Sequence, residues 1–308
     1  PYDIDCVVGI PRSGLLAANI IALKMGVPLT DLDGFLEGRM LGLGNRFKDI
    51  DTNNFLKTPK NILVVDDSIS SGSSIKQAKN KIHKKNVKHK IKYAAIYVTP
   101  KGKSLCDLYV EEIRNPRRFE WNILSSGDIR NYCFDMDGVL CLDPKPEEND
   151  DGDRYREFLL NTRPLYKPVH EIGAIVTSRL EKYRPETVQW LKENGIKYRN
   201  LHMLDLPSKE DRIRLKAASS FKAEFFKQSS ADLFIESEHN QAVKISEISG
   251  KYVYALDTVT MHGPGIISSI IERKRMIARR GFHRKAAHLS RVSSKIKQCA
   301  IINFIFLM

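Results

Sequence analysis

Two short stretches of this 308-residue sequence place carboxylates where an apolar run meets a turn. The first is Lys60 to Ser74, KNILVVDDSISSGSS. Four apolar β-formers, Ile62 to Val65, lead into Asp66 and Asp67 and then into a loop of Ser and Gly. A continuous apolar run bounded by turn residues reads as a buried parallel strand. Open parallel sheets bind ligands at the carboxyl ends of their strands, where these two aspartates fall. The loop from Ser68 to Ser74 feeds a helical run expected to begin near Ile75. Hydroxyls and unpaired N–H groups at a helix N-terminus hold phosphate. Together these residues could bind hydroxyls or a hydrated Mg²⁺ beside a phosphate.

The second stretch is Asn131 to Leu140, NYCFDMDGVL. Its carboxylates, Asp135 and Asp137, are spaced i and i+2, which in an extended segment puts them on one side. Such a pair takes a hard cation with oxygen ligands, and Mg²⁺ is the expected one. The ion neutralises an incoming phosphate, one carboxylate attacks as nucleophile, and the other acts as general acid.

The elements around each pair follow the same pattern of short apolar strands alternating with helices. Tyr2 to Ile10 reads as a strand, and Gly9-Ile10-Pro11-Arg12-Ser13-Gly14 as a tight loop opening a helix over Leu15 to Met25, closed by Gly26. Tyr93 to Thr99 and Leu108 to Ile113 read as further strands. Gly34 to Lys60 lacks periodicity, and is either a lid or a plain surface connection. A boundary is expected near Ser125-Ser126-Gly127. Asp143 to His170 is short and acid-rich at its start, a small cap or a loop that leaves the second site open.

The first stretch resembles the phosphoribosyl-pyrophosphate signature of type I phosphoribosyltransferases. That resemblance gives Asp66 and Asp67 the ribose hydroxyls, and Ser70, Ser71, Gly72, Ser73 and Ser74 the 5′-phosphate. It also places Arg12 and Ser13 against the pyrophosphate, with Arg46 and Lys48 on a basic loop over the leaving group. Ser stands where that family often has Thr, which keeps the hydroxyl. DMDGVL resembles motif I of the haloacid dehalogenase superfamily, in its phosphatase form. There Asp135 is the nucleophile and Asp137 the acid/base. The same resemblance assigns Thr177, in AIVTSR, to the phosphate. It assigns Lys222 to the third motif, with Lys209, Lys216 and Lys227 as competitors. In LFIESE it puts Glu236 on the metal, with Asp135 and Asp137, and leaves Glu238 as the other choice.

The expected fold is therefore α/β: two doubly wound Rossmann-like domains, residues 1–125 and 126–262, followed by a basic helical tail over 263–308. The net charge of +13 is concentrated. Residues 265–308 hold ten Lys/Arg against one acid, Glu272, and eight lysines between Lys76 and Lys92 have no acid among them. Such faces suit phosphates, nucleic acid or anionic lipid. The lysine run reads as a solvated helix face rather than a nucleic-acid site. The tail reads either as a membrane-surface helix or as a helix packed on the body. Five scattered cysteines without CxxC spacing indicate a reducing, cytoplasmic compartment, with peripheral contact on the inner membrane face through the tail. No apolar run is long enough to span a bilayer. An N-terminal segment ahead of Pro1 is expected to be missing.

The resemblances imply a bifunctional, Mg²⁺-using enzyme. It would transfer 5-phosphoribose from phosphoribosyl pyrophosphate to an acceptor, and then remove the 5-phosphate. Fused pairs of this kind resemble enzymes that install ribofuranose in bacterial polysaccharides, where the acceptor is a lipid-linked glycan. The alternative is nucleotide salvage, a nucleobase phosphoribosyltransferase joined to a nucleotidase.

Overall fold

The computed structural model describes residues 3–41, 51, 54–114 and 117–263. Within them the chain divides into two compact units that meet in sequence between Arg117 and Arg118. The tail from 264 onward, with its expected helix, and the basic-loop residues Arg46 and Lys48 lie outside the described residues.

The first unit is built on a parallel five-stranded sheet, β2-β1-β3-β4-β5. Its strands are β1 (Cys6–Gly9), β2 (Leu29–Asp31), β3 (Asn61–Ile69), β4 (Lys90–Val98) and β5 (Leu108–Glu112). Three helices connect them: α1 (Ser13–Met25), α2 (Leu32–Glu37) and α3 (Ser73–Lys84). Gly26 closes α1 in the left-handed region, at φ +67°, as its position after the apolar run implies. Val8, Ile62 and Val64 share a core with Phe35 of α2 and with Ile75, Ala78 and Ile82 of α3. The three α3 residues are the buried stripe of an otherwise lysine-rich helix. The first strand is shorter than the apolar pattern suggests, because Ile4 and Asp5 precede the ladder. β3 is longer than expected and carries both aspartates within the strand, since β4 pairs with it as far as Ile69. The helix after it begins at Ser73, two residues before Ile75.

The second unit has a six-stranded sheet, β11-β10-β9-β6-β7-β8, parallel except for the last hairpin strand. The strands are β6 (Tyr132–Phe134), β7 (Ile172–Leu180), β8 (Tyr198–Leu204), β9 (Leu233–Glu236), β10 (Tyr252–Ala255) and β11 (Thr260–His262). Helices α4 (Asp153–Asn161), α5 (Arg184–Glu193), α6 (Lys209–Arg214), α7 (Ala217–Gln228) and α8 (His239–Ser249) complete it. Alternation along the strands explains why both faces are covered. Tyr132, Phe134, Ile175 and Ile235 pack with Trp190 of α5. Cys133, Val176 and Phe234 pack with Phe226 of α7 and Ile245 of α8. The segment 143–170 carries α4, whose Tyr155 and Leu159 are buried against Leu180 and Tyr183. Among the described residues no helix is long and apolar enough to cross a membrane.

Candidate functional sites

In the first unit, β1 and β3 are parallel neighbours with Gly9 opposite Val65, so the loops leaving them lie side by side. The Ile10 N–H donates to the Val65 carbonyl at 2.9 Å. At Gly14 the first turn of α1 comes so close to β3 that a Cβ would lie 2.9 Å from the Val65 carbonyl oxygen and 3.1 Å from Asp66 Cα. The glycine that the sequence presents as a turn residue is thus a spacer against the first aspartate. Arg12 stands exposed at the head of the same helix.

Asp66 and Asp67 are 6 % and 9 % exposed. The Asp67 N–H donates to Asp66 Oδ1 at 3.0 Å. Burial, followed by the charge of Asp67, pushes the Asp66 carboxyl up to about 7, with the positive charge of Arg117 working the other way. Burial lowers the half-buried Arg117 guanidinium, and the charges of Asp67 and Asp66 work the other way. Arg117 was not legible in sequence: it lies beyond β5 and faces carboxylates about fifty positions earlier. The Ser/Gly loop follows directly, and the turn after β4 braces it. Thr99 N donates to the Ile69 carbonyl at 3.0 Å, and the Thr99 hydroxyl donates to the Ser70 carbonyl at 3.4 Å. Ser71, Ser73 and Ser74 are exposed at the start of α3, whose first turn carries no acid. The Ser73 N–H donates to Ser71 Oγ at 3.4 Å, and the hydroxyls and N–H groups of this turn are of the kind that donate to an anion.

In the second unit, Asp135 lies immediately beyond β6, and its N–H donates to the Ile235 carbonyl at 2.9 Å. The parallel β6–β9 pairing therefore brings Asp135 beside Glu236. Both are buried, and the Lys222 ammonium lies between them, 2.7 Å from Asp135 Oδ2 and 2.8 Å from Glu236 Oε2. Lys222 also donates to Gln241 Oε1 at 3.2 Å. Burial works against the ammonium, but the charges of Asp135 and Glu236 outweigh it and hold the lysine protonated. Burial pushes the Asp135 carboxyl up, and Lys222 opposes that rise.

Glu238 takes another direction, accepting from Gln241 Nε2 at 2.9 Å. Of the four candidate lysines, Lys222 alone meets the Asp135–Glu236 pair among the described contacts. Lys209 bonds to the Asn149 carbonyl, and Lys216 and Lys227 are exposed. A sequence signal for this was present. Ser219, Lys222, Ala223 and Phe226 form the buried stripe of α7, so the lysine lies on an otherwise uncharged inner face.

Asp137 is held by Arg179, whose Nη2 is 2.6 Å from Asp137 Oδ1 and whose Nε is 3.1 Å from Oδ2. Gly138 follows at φ +73°, and a Cβ there would lie 2.5 Å from Ser237 Cβ and 2.8 Å from Asp143 Oδ2. Its bare backbone lets the loop after β6, the loop after β9 and the start of the insert converge. The resulting cavity of about 260 Å³ is lined by Asp135, Asp137, Tyr155, Arg212 and Lys222 among others. From β7 it is Ser178 that lines this cavity. Thr177 is buried, and its hydroxyl accepts from the Arg179 N–H at 3.2 Å. Among the described residues no group of three or more His, Cys, Asp or Glu side chains is arranged to hold a metal.

The first unit is a parallel α/β sheet with two acids and a hydroxyl-rich loop at one strand end. The comparison with known families is more particular: residues 1–125 match the phosphoribosyl transferase domain. Solved structures similar to the chain include a purine phosphoribosyltransferase from Pyrococcus horikoshii Ot3. It is 20% identical over 37% of this chain and 73% of that one, with a TM-score of 0.27. The xanthine-guanine-hypoxanthine phosphoribosyltransferase of Helicobacter pylori is 18% identical over 39% and 76%, TM-score 0.29. A chain of a Pnkp1/Rnl/Hen1 complex is 16% identical over 83% and 97%, TM-score 0.28. No curated protein matches the sequence.

Proposed function

We propose that the chain is a two-step enzyme, a phosphoribosyltransferase followed by a phosphomonoesterase that acts on the transferred group. The matched domain supports the first step. Asp66 and Asp67 hold the ribose hydroxyls, the Ser70–Ser74 loop holds the 5-phosphate, and Arg12 meets the pyrophosphate that departs as the C1–O bond breaks. Arg117 adds positive charge beside the aspartates.

The observation that carries the second step is the Lys222 ammonium held between Asp135 and Glu236 with Asp137 two residues on. An Asp135 oxygen attacks phosphorus while the bond to the leaving alkoxide breaks, and Asp137, entering this step as the carboxylic acid, gives its proton to the alkoxide. Asp137 then takes a proton from water as that water attacks the aspartyl-phosphate, which frees Asp135 and inorganic phosphate. Lys222 steadies negative charge in both steps. The buried oxygen donors Asp135 and Glu236 suit Mg²⁺ chemically and would hold it. Such an ion would supply charge neutralisation at the phosphate.

The acceptor we favour is a lipid-linked glycan. A cavity of about 260 Å³ accommodates a phosphate and the sugar that carries it, and leaves a larger acceptor outside. The test is incubation of the protein with Mg²⁺, phosphoribosyl pyrophosphate and a lipid-linked glycan. Wild type should release phosphate and ribosylate the glycan, and Asp135→Asn should accumulate the phosphoribosylated glycan. Consumption of a purine or pyrimidine base instead would replace this acceptor with the nucleotide-salvage one.

A further inference from the structure

Asp137 and Asp135 are each paired with a cation, but the two cations are placed very differently. Lys222 reaches the cavity wall. Arg179 is not among the residues that line it, and its side chain is fully buried. It contacts both Asp137 oxygens, Oδ1 at 2.6 Å from Nη2 and Oδ2 at 3.1 Å from Nε. A forked contact of this kind fixes the plane of a carboxylate, which a single-point contact would not do.

The guanidinium is itself held in place. Its Nη1 donates to Thr187 Oγ1 of α5 at 3.3 Å, and its Nη2 lies 3.1 Å from Cys141 Sγ. Asp137 retains 20% exposure and lines the cavity beside Asp135. One edge of the carboxylate is therefore committed to a buried clamp while the residue still reaches the cavity.

We infer that Arg179 is a positioning residue that aims Asp137 at the leaving-group oxygen, with Thr187 anchoring the clamp. This rests on the phosphomonoesterase reading above. A residue that only stabilised the fold would, on substitution, slow all substrates alike. A residue that aims the proton donor matters for leaving groups that require a proton. An aliphatic alkoxide requires one, whereas p-nitrophenolate departs without it.

The experiment compares single-turnover rates on ribose 5-phosphate and p-nitrophenyl phosphate for wild type, Asp135→Asn, Arg179→Lys and Thr187→Val. For Arg179→Lys the rate on ribose 5-phosphate should fall about 100-fold, the usual worth of general acid catalysis, with KM unchanged. Its first-turnover release of p-nitrophenolate should stay within about threefold of wild type. Thr187→Val should show the same selectivity with a smaller loss, and it decides the matter if Arg179→Lys does not fold. Equal losses on both substrates, or none on either, overturn the positioning role while leaving the phosphatase standing. Absence of wild-type turnover, or full activity in Asp135→Asn, overturns both.

Discussion

The two acid pairs differ by one residue in spacing and far more in what surrounds them. In the second unit each carboxylate meets a buried cation at short range, Asp135 with Lys222 and Asp137 with Arg179. In the first unit Asp66 has the Asp67 N–H at 3.0 Å, the charge of Asp67 beside it, and Arg117 as a weaker counter-influence. One pair has cations at short range, although burial still pushes the Asp135 carboxyl up and Lys222 is shared with Glu236. The other is held at an electrostatic cost that a ligand's cation or hydroxyls would relieve. The same strand-end placement of two acids thus comes with short-range cations in one unit and without them at comparable range in the other, among the contacts described.

The strongest way to break this contrast is Lys222→Met. It removes the cation between two buried carboxylates, and should destabilise the second unit by about 3–5 kcal/mol. Denaturant unfolding followed by tryptophan fluorescence would check it, since Trp121 and Trp190 both lie in the second unit. An effect below about 1 kcal/mol would show that the carboxylates do not depend on their lysine.

The first unit should respond to pH instead. Because the Asp66 carboxyl is pushed up to about 7, its contribution to stability is fully present below the ordinary value of 3.8 and is lost as the pH rises through about 7. Asp66→Asn should flatten that dependence, measured as the unfolding midpoint across the same range. Gly14→Ala tests the close approach that positions Asp66. The new Cβ meets Val65 and Asp66 backbone, and a loss of about 1–3 kcal/mol is expected, with weaker phosphoribosyl-pyrophosphate binding by calorimetry. The smallest effect belongs to Arg118, which pairs with Asp128 at 3.5 Å and Asp232 at 3.4 Å near the surface. Arg118→Ala should cost less than about 1 kcal/mol, which would separate surface pairs from the buried ones by thermal unfolding.

The parts of the fold legible in sequence were those with a local signature. Apolar runs ending in acids marked β3, β6 and β9, because a buried parallel strand needs an unbroken apolar segment. Gly26 marked the end of α1 for an equally local reason. Arg117 and the Arg179 clamp were not legible, since each faces carboxylates 42 or more positions away and only sheet pairing brings them together. Boundaries slipped where neighbouring strands extended or shortened a ladder, as in β3, whose partner β4 carries pairing past both aspartates.

Gly138 has a consequence for how this sequence can vary. Any side chain there would need Ser237 and Asp143 to give way together, while the backbone is already in a region that L-residues rarely adopt. A library randomised at that codon should return glycine alone among folded variants. One randomised jointly at 138, 143 and 237 should return little more, because the turn itself selects the residue.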